Sequence, residues 1–176
     1  MSRLALRPYA DADRAAVLAI FDANVPDFFG AGERGWLEDS LDELDGPAFL
    51  VTLDGEAVAF GGYEIWDYYD KALLTWGMAH PRVHGAGVGR WLLLARLAMI
   101  ARETPATSWA TVDTSPRVAP FFLKHGFETA SVWPRGYRAG GTMHVLRFDL
   151  AATQPQALDA RAQHAYAQAS LRLAPA

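Results

Sequence analysis

The sequence predicts an α/β domain, and three observations carry that prediction. Segments with the two-residue alternation of strands and segments with helical spacing follow one another along the chain. Three of the strands come in succession, and the tight-turn pair Asp54-Gly55 joins the first two as a hairpin. A glycine-rich turn, His84 to Gly89, then stands between a strand and a strongly apolar helix. The 176 residues, 51% apolar and 20% charged, suit one compact domain, and no segment repeats.

At the N-terminus Leu4 and Leu6 alternate with Ala5 and Arg7 as in a short strand, and Pro8 ends it. Asp11 or Asp13 can then cap a helix with Val17, Ile20 and Phe21 on one side. The loop from Asn24 to Gly30 holds two rings, Phe28 and Phe29, that either line a pocket or plug the core. A second helix is expected from Gly32 to Leu44, with Trp36 or Leu37, Leu41 and Leu44 at helical spacing. The three successive strands are Phe49 to Leu53, Ala57 to Trp66 and Ala72 to Ala79. The helix from Gly87 to Glu103 has arginines at 90, 96 and 102 that share no stripe, so cover on more than one side is expected. Trp109 to Asp113 reads as a buried strand. Pro116 to His125 reads as a short helix, with Pro116 in a first turn that tolerates it, His125 as a cation at its end and Gly126 as its stop. Glu128 to Trp133 and Met143 to Leu150 form a last pair of strands. The composition then shifts to Ala and Gln, which divides the chain into a domain over 1–150 and a tail over 151–176. Leu158, Ala162, Tyr166 and Ala169 allow that tail a helix docked on the domain or on a second subunit, as in a homodimer; a frayed end is the alternative.

Composition narrows the function. Without cysteine there is no disulfide framework, thiolate metal site or cysteine nucleophile, and the five histidines lack metal-like spacing. The most apolar stretch, Trp91 to Ala101, contains Arg96 and falls short of the ~20 residues of a membrane span. Arg7, Pro8, Asp11 and Asp13 stand where a signal peptide needs an apolar core, so a soluble, cytoplasmic protein is expected. Residues 1–70 hold 4 Arg against 15 acids, net -11, whereas residues 71–176 hold 12 Lys or Arg against 5 acids, net +7. The second part can hold a phosphorylated ligand. No broad positive face for nucleic acid is implied.

Glycines at 85, 87 and 89, between a strand and a helix, bring several backbone N–H groups to a helix N-terminus with no side chain in the way. That is an anion site. It lacks the Gly-Lys-Ser/Thr of a nucleoside triphosphate loop, and no strand–helix–strand unit with a ribose-binding acid follows it. At this turn the chain resembles the GCN5-related N-acetyltransferase (GNAT) superfamily, whose turn reads Gln or Arg, any, any, Gly, any, Gly or Ala. Here His84-Gly85-Ala86-Gly87-Val88-Gly89 stands in that place, after a segment Leu73 to Pro81 like the family's central strand. Downstream, Ser115 to Phe127 is similar to a second signature, an Asn followed by a short helix with Tyr and a terminal Gly-Phe. The likeness covers about residues 3–150.

The resemblance implies a mixed, mostly antiparallel sheet flanked by helices and splayed at an acetyl-coenzyme A site. It implies transfer of an acetyl group from acetyl-coenzyme A, as co-substrate, to a primary amine by direct attack through a tetrahedral intermediate. Met78 and Ala79 would pair with the pantetheine arm, His84, Gly85, Ala86, Gly87, Val88 and Gly89 would hold the pyrophosphate, and Ser115 and Phe122 would flank the thiol end. Ser115 replaces the family's Asn, His84 its Gln or Arg, and Phe122 the Tyr that commonly serves as general acid; Tyr137 could reach the site instead. For the base, Glu64 is the candidate, among Tyr63, Trp66 and Tyr68 in a strand beside the acetyl site; an exposed strand glutamate is the alternative. Asp113 more readily caps the following turn. The acidic first part of the chain suits a cationic small-molecule or peptide amine, to which Phe28, Phe29, Trp66, Tyr68 and Tyr69 could add cation–π contacts. A non-catalytic acyl-coenzyme A sensor of the same fold is the rival.

Overall fold

The computed structural model describes residues 3–137 and 141–174. Its centre is one seven-stranded sheet: β1 (Leu4–Pro8), β2 (Ala48–Leu53), β3 (Glu56–Trp66), β4 (Lys71–Ala79), β5 (Trp109–Thr114), β6 (Glu128–Trp133) and β7 (Met143–Asp149), in the spatial order β1-β2-β3-β4-β5-β7-β6. All neighbours are antiparallel except β4 and β5, whose connection is a helix. Asp54 and Gly55, both at positive φ, make the β2–β3 hairpin turn.

Helices cover both faces of the sheet. On one side α1 (Arg14–Asp22) and α2 (Arg34–Asp42) bury Val17, Ile20, Phe21, Leu37 and Leu41 against Leu50, Phe60 and Met78 of the strands. A 3-10 turn precedes each of these helices. Leu44 falls beyond α2 and is exposed, because the chain turns away through Gly46, whose backbone passes directly against the Tyr63 carbonyl. On the other side lies α3 (Val88–Glu103), which is buried along most of its length, Arg96 included, and is open to solvent chiefly at Arg102 and Glu103.

The second cover on α3 is α5 (Pro155–Arg172), which lays Leu158, Ala162, Ala165 and Ala169 on it and sets Tyr166 at a tilt against Trp91, ring centroids 4.9 Å apart. The Ala-rich composition suits this role, since small side chains let two helix backbones approach closely. The remaining short helix, α4 (Ala119–Lys124), begins three residues later than its proline suggests. The N–H groups of Val118 and Ala119 both donate to the Ser115 carbonyl, so Pro116 belongs to a separate turn and Pro120 takes the early helical position. Gly126, at φ 99°, stops the helix as expected. His125 is not a cation there at pH 7: burial pushes its pKa down, and its Nδ1 lies 2.6 Å from the Phe121 carbonyl, as a neutral donor.

Candidate active site

Pairing between β4 and β5 covers only Lys71–Leu73 against Trp109–Thr111. Beyond those residues the two strands part, and a cleft of about 840 Å³ opens between Leu74–Ala79 on one side and Val112–Ser115 on the other. Its size suits a ligand much larger than an amine alone.

A bulge shapes the β4 wall. The register between β3 and β4 moves from Phe60↔Met78 to Gly62↔Thr75, so Trp76 and Gly77 together oppose Gly61. Trp76 adopts φ 47°, a left-handed conformation unusual for a bulky residue, and its ring is held near Phe21 and Phe29. Both alternatives foreseen for the 24–30 loop therefore occur: Phe28 and Phe29 line the cleft, and Phe29 also packs on Phe21 at 5.0 Å.

The turn after β4 closes one end. Gly85 and Gly87 have φ of 77° and 97°, where a side chain would be strained, and α3 starts at Val88. Gly85, Gly87 and Gly89 line the cleft at this N-terminus, where the first-turn N–H groups have no intrahelical acceptor. The Ala86 N–H donates within the turn, to the Val83 carbonyl. His84 folds its ring back, placing Nε2 2.8 Å from the Ala79 carbonyl, which the buried Asn24 amide also reaches at 2.9 Å. Phe28 meets the His84 ring edge-on, and Arg117 lies over Phe28 at 4.9 Å. Arg90 and Lys124 add positive charge to the lining.

Polar groups also line the cleft away from the turn. Phe122, 6% exposed, is wedged between Phe121 and Phe127 and offers no proton. Tyr137 lines the same cleft, and its phenol pKa is pushed up, by burial first and then by the charges of Glu33 and Asp113. Partial desolvation at the cleft wall also raises the Asp113 carboxyl, although the residue remains exposed, with Lys71 acting against the shift. Ser115 is in the lining too. The rest of the β6–β7 loop read from the sequence, 138–140, lies outside the described residues.

Glu64 is not among the residues lining this cleft. It borders a separate small depression with Pro47 and Thr75, and its Oε2 accepts from Trp66 Nε1 at 3.0 Å. Trp66, Tyr68 and Tyr69 are likewise outside the cleft; Trp66 and Tyr69 hold the Lys71 ammonium at 4.6 and 5.5 Å instead. Sequence reasoning missed Glu33, whose place in the cleft depends on how α2 packs. It also missed Arg172 of α5, which donates to the Gly85 carbonyl at 3.0 Å.

Residues 17–127 match a family model described as the acetyltransferase (GNAT) family. No curated protein sequence matches the chain. Among solved structures it is similar to a GNAT-family protein from Desulfovibrio desulfuricans, at 23% identity and TM-score 0.72, over 85% of this chain and all of that one. Ribosomal-protein-S18-alanine N-acetyltransferase from Escherichia coli is similar at 15% identity and TM-score 0.70, over 86% of this chain and 97% of that one. N-acetylglutamate synthase from Neisseria gonorrhoeae, complexed with coenzyme A and N-acetyl-glutamate, is similar at 18% identity and TM-score 0.64, over 84% of this chain and 35% of that one. At these identities the likeness is one of fold.

Proposed function

We propose, from the premise that this chain belongs to the acetyltransferase (GNAT) family, that it transfers the acetyl group of acetyl-coenzyme A to a primary amine of a small molecule or peptide. The observation that carries this reading is the parting of β4 from β5 beside a glycine turn that opens α3. Those residues fit the co-substrate. An edge strand at Gly77–Ala79 suits the amides of a pantetheine arm, and the turn from His84 to Gly89, flanked by Arg90, suits a pyrophosphate. Ser115 and Phe122 would flank the thiol end. Bound there, acetyl-coenzyme A supplies an activated thioester carbonyl, open to direct attack through a tetrahedral intermediate.

The chain's own residues then handle protons. An alkylamine of pKa about 10.4 is neutral in roughly one molecule in 2,500 at pH 7, a handicap of about 4.6 kcal/mol. Expelling a thiolate of pKa about 8.5 costs only about 2 kcal/mol. Base function therefore outweighs acid function. Asp113, which lines the cleft, is a better placed base than Glu64, which lies outside it. Tyr137, kept protonated by burial and neighbouring carboxylates, is suited to give the leaving thiolate its proton in place of Phe122.

Glu33 and Asp113 also favour a cationic acceptor, as does the acidic first part of the chain. Free-thiol release from acetyl-coenzyme A with a panel of cationic, neutral and anionic amines tests the reading. Release that depends on an added amine supports it, and preference for anionic amines overturns the acceptor class. The sensor reading is favoured by Phe122 alone; binding of acetyl-coenzyme A with no release in the presence of any amine selects it.

A further inference from the structure

Arg96 stands in the middle of α3, is 2% exposed, and points into the sheet. Its Nη1 donates to the Gly62 carbonyl at 2.9 Å and to the Thr75 carbonyl at 3.2 Å, while Nε lies 3.4 Å from the Leu92 carbonyl. Gly62 and Thr75 are the register pair at which β3 and β4 resume contact after the bulge. The neighbouring glycines make the insertion possible: a Cβ on Gly61 would come within 2.9 Å of Nη1, and one on Gly77 within 2.9 Å of Nη2. No ion pair to Arg96 occurs among the described residues, and burial lowers its pKa only to about 10, so it remains a cation held by carbonyls.

A buried guanidinium with no carboxylate partner is costly to desolvate, and its hydrogen bonds to carbonyls offset only part of that cost. What this one touches is the bulge. Gly77 lies against Arg96 and also lines the cleft, and Trp76 beside it lines the cleft too. Without a clamp, a two-for-one bulge can relax toward regular pairing, and a one-residue slip would reverse which backbone groups of Gly77, Met78 and Ala79 face the cleft.

We propose that Arg96 is a positioning residue for acyl transfer: lodged in the break between β3 and β4, it fixes the Trp76–Gly77 bulge and so aims the Gly77–Ala79 backbone at the acyl group. This rests on the acetyl-transfer reading above. The guanidinium touches no substrate; it acts through the backbone it holds. Errors of about 1 Å in such an alignment can cost on the order of a hundredfold in rate.

The test replaces Arg96→Met and measures kcat, the KM for acetyl-coenzyme A and the thermal midpoint. The expected result is a fall in kcat of about tenfold or more, with KM within threefold and a midpoint that still leaves the variant folded at the assay temperature. Amide exchange at Gly77 and Met78 should quicken in the same variant. A kcat within threefold of the parent, or a loss that appears in KM instead, overturns the proposal. Arg96→Lys, which keeps the charge but loses the planar group whose Nη2 lies against Gly77 while Nη1 holds the two carbonyls, should recover only part of the rate. Should Arg96→Met fail to fold, Gly61→Ala takes its place under the same kcat and KM thresholds, since its Cβ displaces Nη1 from a strand position outside the cleft lining while leaving the arginine present. An unsubstituted protein that binds acetyl-coenzyme A but never transfers the acetyl group sinks the acetyl-transfer reading; the exchange rates at Gly77 and Met78 then still decide whether Arg96 holds the bulge.

Discussion

Phe122 is where this chain departs most from the family's usual residues, and the cleft supplies a hydroxyl from another element. Tyr137→Phe should lower kcat by up to about thirtyfold, the rate equivalent of the roughly 2 kcal/mol that separates thiol from thiolate at pH 7. Restoring a hydroxyl by Phe122→Tyr should leave turnover within about tenfold, because the wedge between Phe121 and Phe127 leaves that ring little freedom. Both follow from steady-state thiol release. Asp113 makes a prediction in pH. Its pKa is raised by partial desolvation at the cleft wall, and a base works only when deprotonated, so activity should fall as pH drops through that raised value. Asp113→Asn should lower the plateau and remove this acidic limb; an unchanged limb assigns the base elsewhere. Glu64 lies outside the cleft lining, and the sequence could not tell this, because alternation along a strand shows which residues share a face but not which face borders a cleft.

Among the elements, α5 has the least precedent in the motifs, since the family model ends at residue 127. It touches the turn directly: a Cβ on Gly87 would come within 3.8 Å of Ala169 Cβ, Arg172 donates to the Gly85 carbonyl, and Arg90 donates to Gln168. Farther along, Arg161 donates to the His125 carbonyl at the end of α4. The helix is thus tied to elements on both sides of the cleft. Ala169→Leu should overpack this contact and cost about 1–3 kcal/mol in urea denaturation. It should also weaken acetyl-coenzyme A binding, measured by calorimetry, by shifting Gly85 and Gly87. Loss of stability with unchanged affinity would mean that the turn holds its shape without α5.

Across the whole molecule, charge and ligand linkage give two further expectations. Acetyl-coenzyme A at about 100 times its Kd should raise the unfolding free energy by roughly 2.7 kcal/mol, visible as a higher thermal midpoint. With net -11 in residues 1–70 and net +7 in the rest, encounter with a cationic acceptor should be steered by the summed field. The value of kcat/KM for that amine should therefore fall as salt shortens the Debye length to about 8 Å and below. Indifference to salt would leave only the local carboxylates Glu33 and Asp113 to select charge.

The sequence by itself determined the α/β class, the order of the elements and the glycine turn. Each of these is written in short-range periodicity or in a run of a few residues whose backbone geometry demands glycine. It also showed that Arg96 sits on a helix expected to be covered on more than one side. Only the tertiary structure decided what lies in the cleft. Glu33, Asp113 and Tyr137 come from three distant parts of the chain, and their meeting depends on how α2, β5 and the β6–β7 loop pack around strands that part after three paired residues. The Trp76 bulge and its arginine clamp were beyond reach for the same reason. A break in register is a property of two strands together, and the guanidinium fills it only because a third element, α3, lies across both.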